Sequence, residues 1–160
     1  MVRWNSARGH AWLALSAFAF SGYSLNLAAQ DVATCKGPAE LEQGIKAHPS
    51  AGAYDALGAY FGQRQKISCA ISAFESAVHL DPNSWEAHFN LSLALLQSNQ
   101  PAPAARELRI ATRLNPENPL SHIALGVALS ELDQDDTAID EFKLALTAVF
   151  QEVERLTSRE

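Results

Sequence analysis

Residues 51–84 read AGAYDALGAYFGQRQKISCAISAFESAVHLDPNS, residues 85–118 WEAHFNLSLALLQSNQPAPAARELRIATRLNPEN, and residues 119–152 PLSHIALGVALSELDQDDTAIDEFKLALTAVFQE. The three segments align without a gap at a period of 34 residues, the mark of a repeat array whose units bury their apolar faces against one another. In each segment apolar residues recur at spacings of three and four, a polar turn follows, and the same spacing returns, which predicts a pair of helices. Gly58, Ser92 and Gly126 share one repeat position, and Ala70, Ala104 and Ala138 share another. Small residues there let two antiparallel helices approach, while large residues fill the space between neighbouring pairs. Asp81-Pro82-Asn83 and Asn115-Pro116-Glu117-Asn118-Pro119 end the second helix of the first two pairs, because proline lacks an N–H and restricts the residue before it. Pro101 and Pro103 fall in the first turn of a helix, where the missing donor matters little.

The residues at fixed repeat positions carry a resemblance. The first segment supplies Tyr54, Leu57, Gly58, Phe61, Ala70, Phe74, Ala77 and Pro82; the second His88, Leu91, Ser92, Leu95, Ala104, Leu108, Ala111 and Pro116. The third supplies His122, Leu125, Gly126, Leu129, Ala138, Phe142 and Ala145, with Phe150 where proline is usual. This series resembles the tetratricopeptide repeat, whose period is 34 and whose pattern is W-x2-L-G-x2-Y…A-x3-F…P. The resemblance implies an all-α, right-handed solenoid of three helix pairs.

The flanks divide the rest of the chain. Pro38 to Ala47, closed by His48-Pro49, reads as a lone helix capping the first repeat, within a linker-and-cap segment 30–50. The repeats occupy 51–152. At the far end Ile139, Phe142, Leu146, Val149, Val153 and Leu156 continue one apolar stripe, so the last helix runs on through an extension, 153–160. That stripe fits either a terminal helix or the start of a longer array. Ahead of the cap, Arg3, Arg8 and His10 precede the apolar block Ala11–Phe20 and a small-residue end at Ala28-Ala29, the layout of a signal peptide over 1–29 cleaved after Ala29. An uncleaved anchor is the alternative, since Ala11–Gln30 carries no charge and is just long enough to span a bilayer. Either way the chain is expected to be exported, periplasmic or secreted, and to meet a membrane only through that segment. Cys35 as a lipid-attachment site is disfavoured by Thr34 before it and by Asp31 between it and the apolar block.

Composition narrows the function. With 48% hydrophobic and 19% charged residues among 160, the chain is too apolar for a disordered tail. Its net charge is −6, and removing residues 1–29 takes away two arginines and no acid, which leaves −8. That sign is opposite to the footprint of a nucleic-acid binder. No G-x-S-x-G, P-loop, H-E-x-x-H, G-x-G-x-x-G or EF-hand series is present, so catalytic residues, cofactor and metal are all expected to be absent. Asp133, Asp135, Asp136, Asp140 and Glu141 read as a polar turn and the negative first turn of a helix. His88 and His122 share a position that normally holds an aromatic, as Tyr54 does, and packing is preferred to metal because no third ligand is in view. Asn90-Leu91-Ser92 matches a glycosylation sequon, but its place in mid-helix reads as coincidence.

Two further readings concern the surface. By the resemblance, repeat position 19, where Cys69 stands, turns away from the core, and Cys35 lies just ahead of the capping helix. A Cys35–Cys69 bridge pinning the cap and two free thiols are both open readings. The family usually serves as a binding scaffold whose first helices line a concave face through positions 2, 5, 9 and 12. Here these are Gly52, Asp55, Ala59 and Gly62, then Glu86, Phe89, Leu93 and Leu96, then Leu120, Ile123, Val127 and Ser130. Family members that grip a chaperone's terminal carboxylate carry Lys, Asn and Arg at positions 5 and 9; with none of these here, a carboxylate clamp is not expected. Asp55, Phe89, Leu93, Leu96, Ile123 and Val127 instead outline an apolar strip for a partner helix or extended peptide, or one covered by another part of the chain or a second copy. The resulting expectation is a non-catalytic protein-binding scaffold. The alternatives are a homo-oligomerising module and the N-terminal arm of a larger repeat protein.

Overall fold

The computed structural model describes residues 35–158, and among them are seven α-helices and no strand. They are α1 Ala39–Ala47, α2 Ala51–Gln63, α3 Ile67–Leu80, α4 Trp85–Gln97, α5 Pro101–Leu114, α6 Pro119–Ser130 and α7 Asp135–Thr157. The all-α repeat architecture expected from the 34-residue period is the one observed. The signal peptide over 1–29, its cleavage after Ala29 and the alternative anchor fall outside the described residues. None of the described helices is long and apolar enough to cross a membrane.

The period reappears in the local hydrogen bonds. Ser50, Ser84 and Asn118, each 34 residues from the next, cap α2, α4 and α6: their side-chain oxygens accept from the backbone N–H of Ala53, Ala87 and Ser121 at 3.2, 3.2 and 3.0 Å. Gln65, Asn99 and Asp133, again 34 apart, take positive φ values of 59°, 59° and 57° after the same three helices. At the first of these turns the N–H of Lys66 donates to the Phe61 carbonyl and that of Gln65 to the Gly62 carbonyl. This reciprocal pair satisfies orphan carbonyls at a helix end and reverses the chain in three residues.

Packing follows the pairs. Phe61, Phe74, Leu91 and Leu95 form one buried cluster, and Leu108, Leu125 and Leu129 form a second, with Leu96 lying against both. At Gly58 the neighbouring ring of Phe74 comes so close that an added Cβ would lie 2.5 Å from it, and Gly126 meets Phe142 in the same way. The central pair solves the same contact with Ser92 and Leu108, both fully buried.

The N-terminal end is closed covalently. Cys35 is bonded to Cys69, with their Cα atoms 5.5 Å apart. The expectation that Cys69 turns away from the core does not hold, because it is buried beside Phe61 and Ala70. The cause is the segment ahead of α1, which lies over that side of the first pair: Cys35 packs on the same cluster, and the backbone at Gly37 runs directly over Leu57. Glu42 holds this segment by accepting from the Gly37 N–H at 2.7 Å.

Candidate protein-binding groove

Helix order decides which face is concave. The first helices of successive pairs touch each other, α2 with α4 and α4 with α6, whereas among the described residues α3 does not reach α5, nor α5 reach α7. The first helices therefore lie on the inside of the curve, and their free faces line a groove.

Phe89 and Leu96 are half-buried in this groove and pack on the Leu108–Leu125 cluster beneath. Leu93, Ile123 and Val127 stand on the surface, 37–43% exposed. Leu120 is still more open, and the ring of Trp85 sits 6.3 Å from that of Phe89 at the strip's edge. The structure thus brings five of the six groove residues into one apolar strip over α4 and α6. Asp55 has a different neighbour: its Oδ1 accepts from Asn90 Nδ2 at 2.7 Å, tying α2 to α4. Asn90 is committed to this bond, which is a structural use for a residue whose sequon reads as coincidence.

His88 and His122 carry a contact that the sequence did not reveal. Nδ1 of His88 lies 2.7 Å from Glu107 Oε2, and its Nε2 lies 3.0 Å from the Pro82 carbonyl. His122 repeats the arrangement with Glu141 and the Pro116 carbonyl at the same two distances. A carbonyl only accepts, so Nε2 donates to it, and Nδ1 faces the carboxylate. Each imidazole thereby pins its own helix to the second helix of its pair and to the turn before it. Among the described residues no group of three or more His, Cys, Asp or Glu is gathered as for a metal. The detectable signal was that Glu107 and Glu141 recur 34 residues apart, as the histidines do. A double-mutant cycle on His88→Ala and Glu107→Ala, read by urea unfolding, should give a coupling of about 1–2 kcal/mol. Additive losses would show that the pair does not act as a unit.

The sequence profile of the tetratricopeptide repeat matches residues 56–102 and 92–149. The chain belongs to the tetratricopeptide repeat family. That family is in general a non-catalytic protein-interaction fold. Eighty-two residues are 35% identical to the "BBSome complex member BBS4 homolog" of Drosophila melanogaster, covering 51% of this chain and 17% of that protein. Eighty-nine are 33% identical to "BBSome complex member BBS4" of Xenopus tropicalis, covering 56% and 17%. The tetratricopeptide chain thus matches only about a sixth of the length of these relatives. Among solved structures, the crystal structure of MamA superposes with a TM-score of 0.68 at 22% identity, covering 71% of this chain and 67% of that one. The second TPR of Spaghetti (RPAP3), bound to the HSP90 peptide SRMEEVD, gives 0.61 at 18% identity, covering 66% and 98%. At these identities the likeness is one of fold.

Proposed function

We propose that this chain is an exported, non-catalytic protein-binding module that takes an apolar helix or extended segment of a partner protein into the groove of α2, α4 and α6. The observation that carries this reading is the strip of Leu93, Ile123 and Val127, which stays on the surface above half-buried Phe89 and Leu96. A surface of that kind on a rigid scaffold favours an apolar partner face. The RPAP3 repeat of this fold, bound to an HSP90 peptide, supports a peptide segment as ligand in general. The ligand here is of another class, because positions 5 and 9 of the three repeats carry Asp55, Ala59, Phe89, Leu93, Ile123 and Val127 and no cation for a terminal carboxylate. Export, to a periplasm or to the medium, is supported by the signal-like layout of residues 1–29 and by the bridged cysteines, which belong to oxidising compartments.

The test is capture from a native envelope extract on the immobilised chain, run beside a Leu93→Glu, Ile123→Glu variant. Both side chains are exposed, so the variant should keep its helicity by circular dichroism. A protein retained by the parent and lost by the variant is the expected result. Equal retention by both would overturn the groove as the binding site.

A further inference from the structure

The outer face of α7 differs from the equivalent face of every earlier second helix. At one repeat position Phe74 is 6% exposed and Leu108 0%, but Phe142 is 39% exposed. Three residues earlier Ala105 is fully buried, while Ile139 is 50% exposed. In the first two pairs this face is covered by the first helix of the next pair, α4 lying on α3 and α6 on α5. Among the described residues nothing lies there on α7.

The exposed residues have a regular order. Ile139, Phe142, Leu146, Val149, Val153 and Leu156 alternate spacings of three and four, the a and d positions of a heptad, and Leu144 and Phe150 are exposed beside them. α7 has 23 residues against 14 in each of α3 and α5, so it overhangs its own pair by roughly 14 Å at 1.5 Å per residue. Arg155 reaches back to Glu117 at 3.5 Å, which keeps the overhang along the body while Val149, Val153 and Leu156 stay 44–57% exposed.

We infer that α7 is a self-association helix: two copies of this chain pair through it, antiparallel, each covering the exposed apolar stripe of the other. The antiparallel order is the one in which α4 lies on α3 and α6 on α5, since short turns join them. It sets Ile139 beside Leu156, Phe142 beside Val153 and Leu146 beside Val149 of the second copy, an a–d layer each time. The overhang of one copy then covers Ile139, Phe142 and Leu146 of the other, in a two-fold contact that uses the same stripe twice. Counting Phe150 at the flank, the stripe offers roughly 600–700 Å² per copy, close to the ~800 Å² per partner of a standard protein interface. The concave strip lies on other helices and stays open, so the dimer presents two grooves.

The experiment is light scattering or sedimentation of the full chain from about 1 to 100 μM, the range that brackets an interface of this size. The expected mass is twice 17.3 kDa. A Leu146→Glu, Val149→Glu variant, altered only at exposed positions, should raise the dissociation constant by at least about 100-fold. A Leu93→Glu variant should remain a dimer, which separates this inference from the groove reading. A parent that stays monomeric at 100 μM, or a Leu146→Glu, Val149→Glu variant that stays dimeric, overturns it. Orientation is read by mixing an Ile139→Cys chain with a Leu156→Cys chain under mild oxidation. A cross-link between the two chains is expected, and cross-links of like with like overturn the antiparallel order.

Discussion

Removing the Cys35–Cys69 bridge should lower the unfolding free energy by about 3–4 kcal/mol, read from urea denaturation of a Cys35→Ala, Cys69→Ala variant beside the parent. The bond joins residues 34 apart, and a loop of that length carries a chain-entropy contribution of this size in the unfolded state. Two structural details raise the stake. Among the described helices α1 touches α2 alone, and among the described residues buried Ile45 and the Glu42 contact with Gly37 help hold the cap in place. Cys69 also sits inside the first core cluster, so losing the bridge loosens the segment that shields Phe61 and Ala70. A loss below about 1 kcal/mol would mean that the cap is held by packing and that the covalent link contributes little.

The second large effect is expected where helices meet most closely. Gly58→Ser should cost about 2–3 kcal/mol, because its Cβ would fall 2.5 Å from Cε1 of Phe74, whose ring is itself buried. The protein already contains the remedy. Its central repeat carries serine and leucine at these positions, and Ser92 Oγ donates to the Phe89 carbonyl three residues back. Combining Gly58→Ser with Phe74→Leu should therefore return stability to within about 1 kcal/mol of the parent, although Phe74→Leu alone costs about 1 kcal/mol. Thermal melts of the four proteins would show this. Losses that simply add would show that the two positions are not coupled.

The repeat made most of the fold legible. Turn prolines such as Pro82 and Pro116 and the small residues Gly58, Ser92 and Gly126 each act locally, so reading along the chain finds them. Contacts made between polar residues across helices were harder to see. Glu107 lies on a helix rich in charge, where one more carboxylate draws no notice, and only geometry reveals that it meets His88. Asn90 and Asp55 are 35 residues apart and bond across two helices, a distance that no local pattern encodes. Cys69 was misjudged for a related reason: its repeat position turns outward in a regular array, but here the segment around Cys35 lies over it. The groove positions came from the resemblance. Which of them stand proud, Leu93, Ile123 and Val127, and which sink, Phe89 and Leu96, depends on how the pairs stack.

The covalent latch on the first pair and the exposed stripe of α7 in a single copy give the described repeats a direction. A row of units that hold only their neighbours opens most easily where a unit is least covered, and here the first pair is tied shut. Breathing motions should then start at α7 and travel inward one pair at a time, meeting the His122 and His88 clamps in turn before they reach the stapled repeat. The apolar strip on α4 and α6 sits between the restless end and the quiet one. Anything that settles on α7 would damp those motions and so stiffen the binding strip from a distance, with no contact to it.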